Sequence, residues 1–322
     1  MSHPLLKKYL AESLLVLLGL GVGVILFAWF RVWIVGELDT AQFRQIIDLL
    51  PKDWRKFASV DFDWLVSYLG RTSTTLDEPM LISLVCAWGI VRGSDVVSGE
   101  LGRGTMEMLI AQPISRREHY VRHAIYTVVL LAVLLALVWF GMSLGVWTSS
   151  VEETTYPEIR IPIADYRIPL RFLKPQTEVV AMVSEVNPLM FLPGIFNLFC
   201  IGVFFAALSA LVSSIDRYRW RTIGIMIGYY FASAGLKVMG MGSERLAWVE
   251  SMTIFGLYHP ASAIRELELD GMESFRLIQY SDAGEFMGSG TLLNCGLPLL
   301  MAAILYYIGL RYFEKRDLPA PV

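Results

Sequence analysis

Apolar and polar stretches alternate along this chain on the scale of whole membrane crossings. Ser13 to Val35 is apolar except for Arg31, Ala124 to Val151 and Asn187 to Ile215 carry no charge, Thr222 to Met241 carries only Lys237, and Phe286 to Leu310 again carries none. Each is long enough to cross a bilayer as a helix, which takes about 20 residues. One further run, Pro79 to Val91, holds only 13 uncharged residues, so its helix has to continue past Arg92 and Asp95, which are spaced to meet on one face at the inner boundary. Asp77 is placed to cap that helix, with Pro79 in its first turn. The pattern therefore predicts an all-α integral membrane protein with six spans, at about 13–35, 79–98, 124–151, 187–215, 222–243 and 286–310. Residues 1–12, with Leu5, Leu6, Tyr9 and Leu10 beside Lys7 and Lys8, read as a short interfacial helix before an uncleaved anchor. A signal peptide is the competing reading, but the run is too long for one and no small-residue cleavage site follows it.

The segments outside the spans are 36–78, 152–186 and 244–285. In the first, Phe43, Ile46, Ile47 and Leu50, and then Phe62, Leu65, Val66 and Leu69, fall at i, i+3, i+4 and i+7, which predicts two amphipathic helices separated by Pro51. In the second, Ile159, Ile161 and Ile163 alternate with polar or proline positions, as in extended chain or short edge strands. In the third, Ser251 to Ile264 is uncharged but contains His259-Pro260 and is too short to cross; it dips into the interface or packs on other helices.

The most informative polar stretch is short. Between Gly99 and Tyr120 the chain reads G-E-L-G-R-G-T-M-E-M-L-I-A-Q-P-I-S-R-R-E-H-Y. Gly102 and Gly104 break the arriving helix, Thr105 is placed to cap a new one of about two turns, Glu107 adds an acid to its first turn, and Pro113 ends it. Ser115 and Glu118 then have capping-box spacing ahead of the next span. Three GxxxG pairs, Gly19/Gly23, Gly141/Gly145 and Gly224/Gly228, predict close helix packing, either within one subunit or between two.

Composition agrees with the pattern: 322 residues, 55% hydrophobic and 18% charged, with a mean hydropathy of +0.53, exclude an ordinary soluble domain. Orientation comes from charge. Residues 1–12, 92–123, 216–221 and 311–322 hold 13 Lys/Arg in 62 positions, whereas the three other segments hold 12 in 120; the basic set is cytoplasmic, with both termini inside. Asp/Glu runs the other way, 8 against 22, so the outer face is acidic and suits an accessory partner there. Cys86, Cys200 and Cys295 lie in separate apolar runs and read as packed thiols.

The run from Ser98 to Arg117 resembles the cytoplasmic loop of ABC-2 type transporter permeases, with Ser98, Gly99, Glu100, Gly104, Thr105, Glu107, Leu109, Pro113, Ile114, Ser115 and Arg116 matching its pattern. The ending Tyr312 to Leu318 is similar to the aromatic-basic-Asp-Leu ends of such proteins. The resemblance implies the membrane subunit of an ATP-binding cassette exporter in a bacterial inner membrane, paired as a homodimer with one ATPase subunit docked on each copy. It implies an elbow helix at 1–12, a re-entrant outer element at 251–264, and a coupling helix at 102–113. The ATPase would then meet Arg103, Gly104, Thr105, Met106, Glu107, Leu109, Ile110 and Pro113, with Met106 and Leu109 or Ile110 in the groove and Arg103 and Glu107 at the rim. ATP and magnesium would sit on that partner, and this chain would hold no cofactor and no nucleic acid.

Other polar groups were weighed in the same way. The glycines at 99, 102 and 104 lack the GKS/T of a phosphate loop, and no metal set or paired carboxylates lie within a span. His119 and His123 have metal-ligand spacing without a third ligand, so a solvated helix end is expected. Arg31 and Lys237 are expected to snorkel outward. Asn197 and Asn294 are candidates to line a substrate path, a hydrogen bond between helices being the alternative. A membrane scaffold or receptor-like protein with an acidic outer face is the rival from another class; an adjacent ATPase gene would favour transport.

The orientation is tested by cysteine accessibility. Cysteines at Ser2, Ser94 and Pro319 are expected to be shielded from an impermeant thiol reagent in intact cells, while those at Ser59 and Thr155 react. Labelling from outside at the first set would reverse the topology.

Overall fold

The computed structural model describes residues 3–38, 40, 43, 49, 60, 62–111, 114–155, 158–161, 166–169, 176–280 and 286–316. Six helices are long and apolar enough to span: Ser13–Glu37, Pro79–Gly102, Arg116–Thr148, Pro188–Ile215, Arg219–Gly242 and Thr291–Lys315. They are called the first to sixth spans here. The fourth span is the central column, packed along the second on one side and the sixth on the other, while the first lies against the third.

Small residues let these pairs close. A Cβ at Gly89 would come within 2.8 Å of the Gly202 carbonyl oxygen, and one at Gly93 would overlap the Ala206 carbonyl, so the second and fourth spans touch backbone to backbone. A Cβ at Gly141 would sit 2.7 Å from the Ile25 carbonyl oxygen, and one at Gly145 would run into Val32. The fifth span is peripheral: Thr222, Met226, Ser233 and Gly240 are its buried residues, and Trp220, Ile225, Phe231 and Val238 face outward. The first span likewise turns Leu15, Leu18, Val22 and Leu26 outward, a distribution that suits lipid rather than water.

Several boundaries differ from expectation. Helix is continuous from His3 to Glu37, so the amino-terminal segment is not a separate elbow; no glycine or proline falls between the first turn at His3 and Ser13 to break it. The third span starts eight residues before Ala124, at Arg116 where Ser115 caps it, and ends at Thr148. The sixth span begins at Thr291, because Phe286–Ser289 pairs as a strand with Ile278–Tyr280. In the outer 36–78 segment, Ile46, Ile47 and Leu50 lie outside the described residues. The second amphipathic pattern is divided into Phe62–Leu65 and Tyr68–Ser73: Ser67 caps the second piece by accepting from the Gly70 N–H at 2.9 Å, and Gly70 itself lies against the Trp64 carbonyl, with no room for a Cβ. Glu78, not Asp77, occupies the cap position of the second span and makes no side-chain cap. It pairs instead with Arg31, whose Nε donates at 2.8 Å, so Arg31 is joined to the second span's outer end and does not run free to the interface. Lys237 donates to the Tyr258 carbonyl at 2.9 Å. Ser94 is fully buried; a cysteine there is shielded from both sides and does not report topology.

The 152–186 segment carries antiparallel ribbons, β1 (Ser150–Thr155) with β4 (Gln176–Ala181) and β2 (Glu158–Ile161) with β3 (Tyr166–Pro169). They continue directly from the third span, with Met182 N–H bonded to the Ser149 carbonyl at 3.0 Å. Arg71 anchors the other outer segment, donating to the Leu38 carbonyl at 2.7 Å and the Thr40 hydroxyl at 2.9 Å with its guanidinium over the Tyr68 ring.

Packing of the second on the fourth span makes a direct prediction. Gly93→Val should lower the melting temperature of the detergent-purified protein, by the equivalent of about 1–3 kcal/mol of overpacking, whereas Gly296→Val, at a position where a Cβ meets nothing within 4 Å, should leave it unchanged.

Candidate functional site

The second span stays α-helical to Ser94, widens into a π-turn over Asp95–Gly99, and closes with Glu100–Gly102. A π-turn displaces backbone groups from their regular partners and is common at functional sites. Side chains from other spans supply the partners. Ser213 Oγ accepts from the N–H of Ser98 at 2.9 Å and of Val97 at 3.3 Å, and donates to the Ser94 carbonyl at 3.0 Å. His119 Nε2 donates to the Val96 carbonyl at 3.0 Å. Ser209 Oγ donates to the Ile90 carbonyl at 2.7 Å.

Within the π-turn, Asp95 meets three arginines from three elements. Its carboxylate lies 2.8 Å from Arg103, 3.3 Å from Arg219 and 3.5 Å from Arg92. Gly99 makes room for it, since a Cβ there would overlap Asp95 Oδ1. Glu100, also buried, accepts from Arg103 at 2.9 Å and from the Thr105 hydroxyl. Burial alone would lower the Arg103 pKa, but the hydrogen bonds and charges of Asp95 and Glu100 outweigh it and hold the group above its ordinary value, so it stays charged at any physiological pH.

Gly104 then turns the chain with φ of 71°, a conformation that costs an L side chain, and the helix Met106–Ile110 follows. At five residues it is little more than one turn. Thr105 stands at its N-cap without capping it, because its hydroxyl is committed to Glu100. Met106 packs into a cluster with Val96, Val97, Tyr120, Ala210 and Phe313, and Leu109 is buried in the main core. Glu107 and Met108 point outward, Met108 with 69% of its surface exposed.

The start of the third span and the end of the sixth lock on from behind. Ser115 Oγ accepts from the Glu118 N–H at 3.1 Å, while the Glu118 carboxylate pairs with Arg122. Arg116 donates to the Arg316 carbonyl at 2.7 Å, and Arg316 in turn to the Ser214 carbonyl at 2.7 Å. His119 and His123 are both buried, not a solvated helix end: Phe313 of the sixth span stacks near His119 and the helix end is covered. Among the described residues no group of three His, Cys, Asp or Glu side chains is placed to hold a metal ion.

A family model described as ABC-2 family transporter protein matches residues 5–318. The chain belongs to the ABC-2 family of transporter proteins. No curated protein matches it. Six candidate spans and the family together make this ABC-2 protein a multi-pass membrane protein and a transporter's membrane-spanning subunit.

Within this ABC-2 protein the residues singled out beforehand fall into distinct groups. Gly104, Thr105 and Arg103 shape the loop, and Arg103 is an internal staple rather than a free rim charge. The expectation that Met106 and Leu109 face a partner is corrected: this chain covers both, because a short helix lying on the span ends buries two of its sides. Only the backbone of Ile110 is described, and Pro113 lies outside the described residues. Gly141 and Gly145 are used inside the subunit, against the first span, whereas a Cβ at Gly19, Gly23, Gly224 or Gly228 meets nothing within 4 Å. Asn197 is a structural joint and does not line a path: its Nδ2 donates to the Leu257 carbonyl at 3.0 Å and the Asn294 carbonyl at 3.2 Å, and its Oδ1 accepts from the His259 N–H at 3.0 Å. Asn294 is bonded to Ser289, whose hydroxyl donates at 2.6 Å. Arg219, Ser213 and Ser209 were not anticipated, and His119 was read only as part of a solvated helix end. Arg219 stood in a basic turn read only for orientation, and Ser209 and Ser213, four residues apart on one face, acquire a role only where the second span lies beside them.

If Asp95 holds the loop, Asp95→Asn should loosen it while keeping size and shape. Hydrogen exchange across 103–111 should accelerate about tenfold or more, the worth of one charge-assisted hydrogen bond. Unchanged protection there would show that the loop is held by packing alone.

Proposed function

We propose that this chain is the permease half of an ATP-binding cassette exporter in a bacterial inner membrane, acting as a homodimer in which each copy docks a separate ATPase subunit that carries ATP and magnesium. The observation that carries the reading is the cytoplasmic loop: a short helix rigidly stapled to the second and fifth spans through Arg103, Asp95 and Arg219, with Glu107 and Met108 presented outward. A helix built to transmit a push has to be stiffly joined to the spans and to expose one adaptable apolar side chain, and methionine suits that contact. Glu107 supplies the rim charge. Basic enrichment in this loop and at both termini supports a cytoplasmic placement. Export is the direction that the resemblance of the 98–117 loop implies. The subunit contact is sought at Gly224 and Gly228, on the weakly buried fifth span, where no neighbour in this chain fills the notch. The acidic outer segments suit an accessory partner in the outer compartment.

Co-expression with an ABC ATPase subunit, sought first in the neighbouring gene, tests the reading. Met108→Asp should reduce co-purification about tenfold, as loss of a central apolar contact does, and Glu107→Lys should weaken it in a salt-dependent way. Gly104→Val should do more damage, since it redirects the helix. Each variant must still insert and run at dimeric mass. Full retention of the ATPase in all three would overturn the docking site, and a monomeric mass across several detergents would overturn the dimer.

A further inference from the structure

A crevice of about 100 Å³ separates the first and second spans. One wall is Gly19, Gly23 and Phe27; the other is Met80, Leu81 and Leu84. No side chain enters the space above the two glycines. Further along the same two spans, beyond Gly19 on the first and Leu84 on the second, both meet Tyr126 of the third span: its hydroxyl lies 2.8 Å from Ser13 Oγ on the first span, and the Arg92 guanidinium of the second span stands 5.9 Å from its ring centre. Leu84, Trp88 and Arg92 follow one another at four-residue spacing, so they share one stripe of the second span.

That stripe carries unanswered donors. Trp88 Nε1 and Arg92 Nε and Nη2 are buried, at 4% and 5% residue exposure, and have no acceptor among the described residues. Buried N–H groups nearly always find one. Charge points the same way. Around Asp95 and Glu100 stand Arg92, Arg103 and Arg219, three cations for two carboxylates among the described ion pairs.

We propose that an anionic phospholipid of the inner leaflet seats here, with its phosphate at Arg92, an ester carbonyl at Trp88 and an acyl chain along Gly19 and Gly23. The order of groups on the stripe matches the order in the lipid. At 1.5 Å per residue, Trp88 is about 6 Å and Met80 about 18 Å from Arg92 along the helix, close to the half-thickness of ~15 Å that one leaflet's chains occupy. The crevice holds a few methylene-sized volumes, at roughly 30 Å³ for a water, so it grips one stretch of one chain. A single phosphodiester neutralises the surplus cation, as basic pockets between spans do for head groups. The Ser13–Tyr126 contact lies beside the guanidinium, and lipid entry turns it aside. The site rests on the cytoplasmic orientation proposed above and not on ATPase docking.

Native mass spectrometry of the full chain in mild detergent, titrated with phosphatidylglycerol and with phosphatidylcholine, tests the site. The wild type should bind one phosphatidylglycerol per chain roughly fivefold tighter than phosphatidylcholine, the factor one unbalanced cation supplies. Trp88→Phe, which removes only the N–H, and Gly23→Leu, which fills the crevice, should each weaken phosphatidylglycerol binding several-fold. Equal affinity for the two lipids, or phosphatidylglycerol binding unchanged in either variant, would overturn the proposal. So would a Gly23→Leu protein that loses its dimer while keeping its lipid, since a second copy would then occupy the crevice. Co-purification of the ATPase with both variants separates this outcome from any failure of the transport reading.

Discussion

One carboxylate organises the end of this molecule from which the 103–111 loop projects. Asp95 sits where the second span leaves α geometry, and it draws together an arginine of its own helix, one from the loop beyond and one from the head of the fifth span. Removing one partner of a buried pair costs about 3–5 kcal/mol. Arg103 and Arg219 keep about a third of their side-chain surface exposed, so each pair alone is worth less than that bound. Without the carboxylate, however, three guanidinium groups would face one another across a few ångströms, and the loop would have no reason to hold its position. The motif glycine and glutamate around it serve the same end: Gly99 clears the space for Asp95, and Glu100 takes the second fork of Arg103.

Residues that looked alike in the sequence are separated by this arrangement. All three GxxxG pairs satisfy one spacing rule, yet only Gly141/Gly145 is filled by a neighbouring span of the same chain. Spacing reports that a helix has a notch; it says nothing of what enters it. A fourth pair at the same spacing, Gly89/Gly93, went unremarked in the sequence, yet it is where the second span meets the fourth, with Gly202 on the facing helix.

What could be read in advance was whatever depends on the chain's local order. Six apolar runs made the spans legible, the turn at Gly104 followed from its neighbours, and the Ser115 cap followed from the serine's place before a helix. What could not be read depends on which side of an element meets another. A helix of five residues has no period long enough to reveal its face, so Met106 and Met108 were indistinguishable until the span ends covered the first. His119 and His123 looked like a solvated helix end because the chain that buries them arrives nearly two hundred residues later, at Phe313. Arg219 and Ser213 became functional candidates only when the spans that carry them were placed beside the π-turn.

The fourth span joins the two ends of the molecule. Near its inner end Ser209 and Ser213 hold the second span and the π-turn; near its outer end Asn197 holds the segment before His259 and the start of the sixth span. Between Asn197 and Ser213 the helix is uninterrupted, about 24 Å of it at 1.5 Å per residue. Its neighbours are fitted to it through glycine contacts that leave no slack for sliding by less than a side chain. A close-packed helix of this kind moves as a unit or not at all. A tilt imposed on its Ser213 end therefore has to reappear at Asn197, and the 257–259 segment and the start of the sixth span, which Asn197 holds, have to follow it.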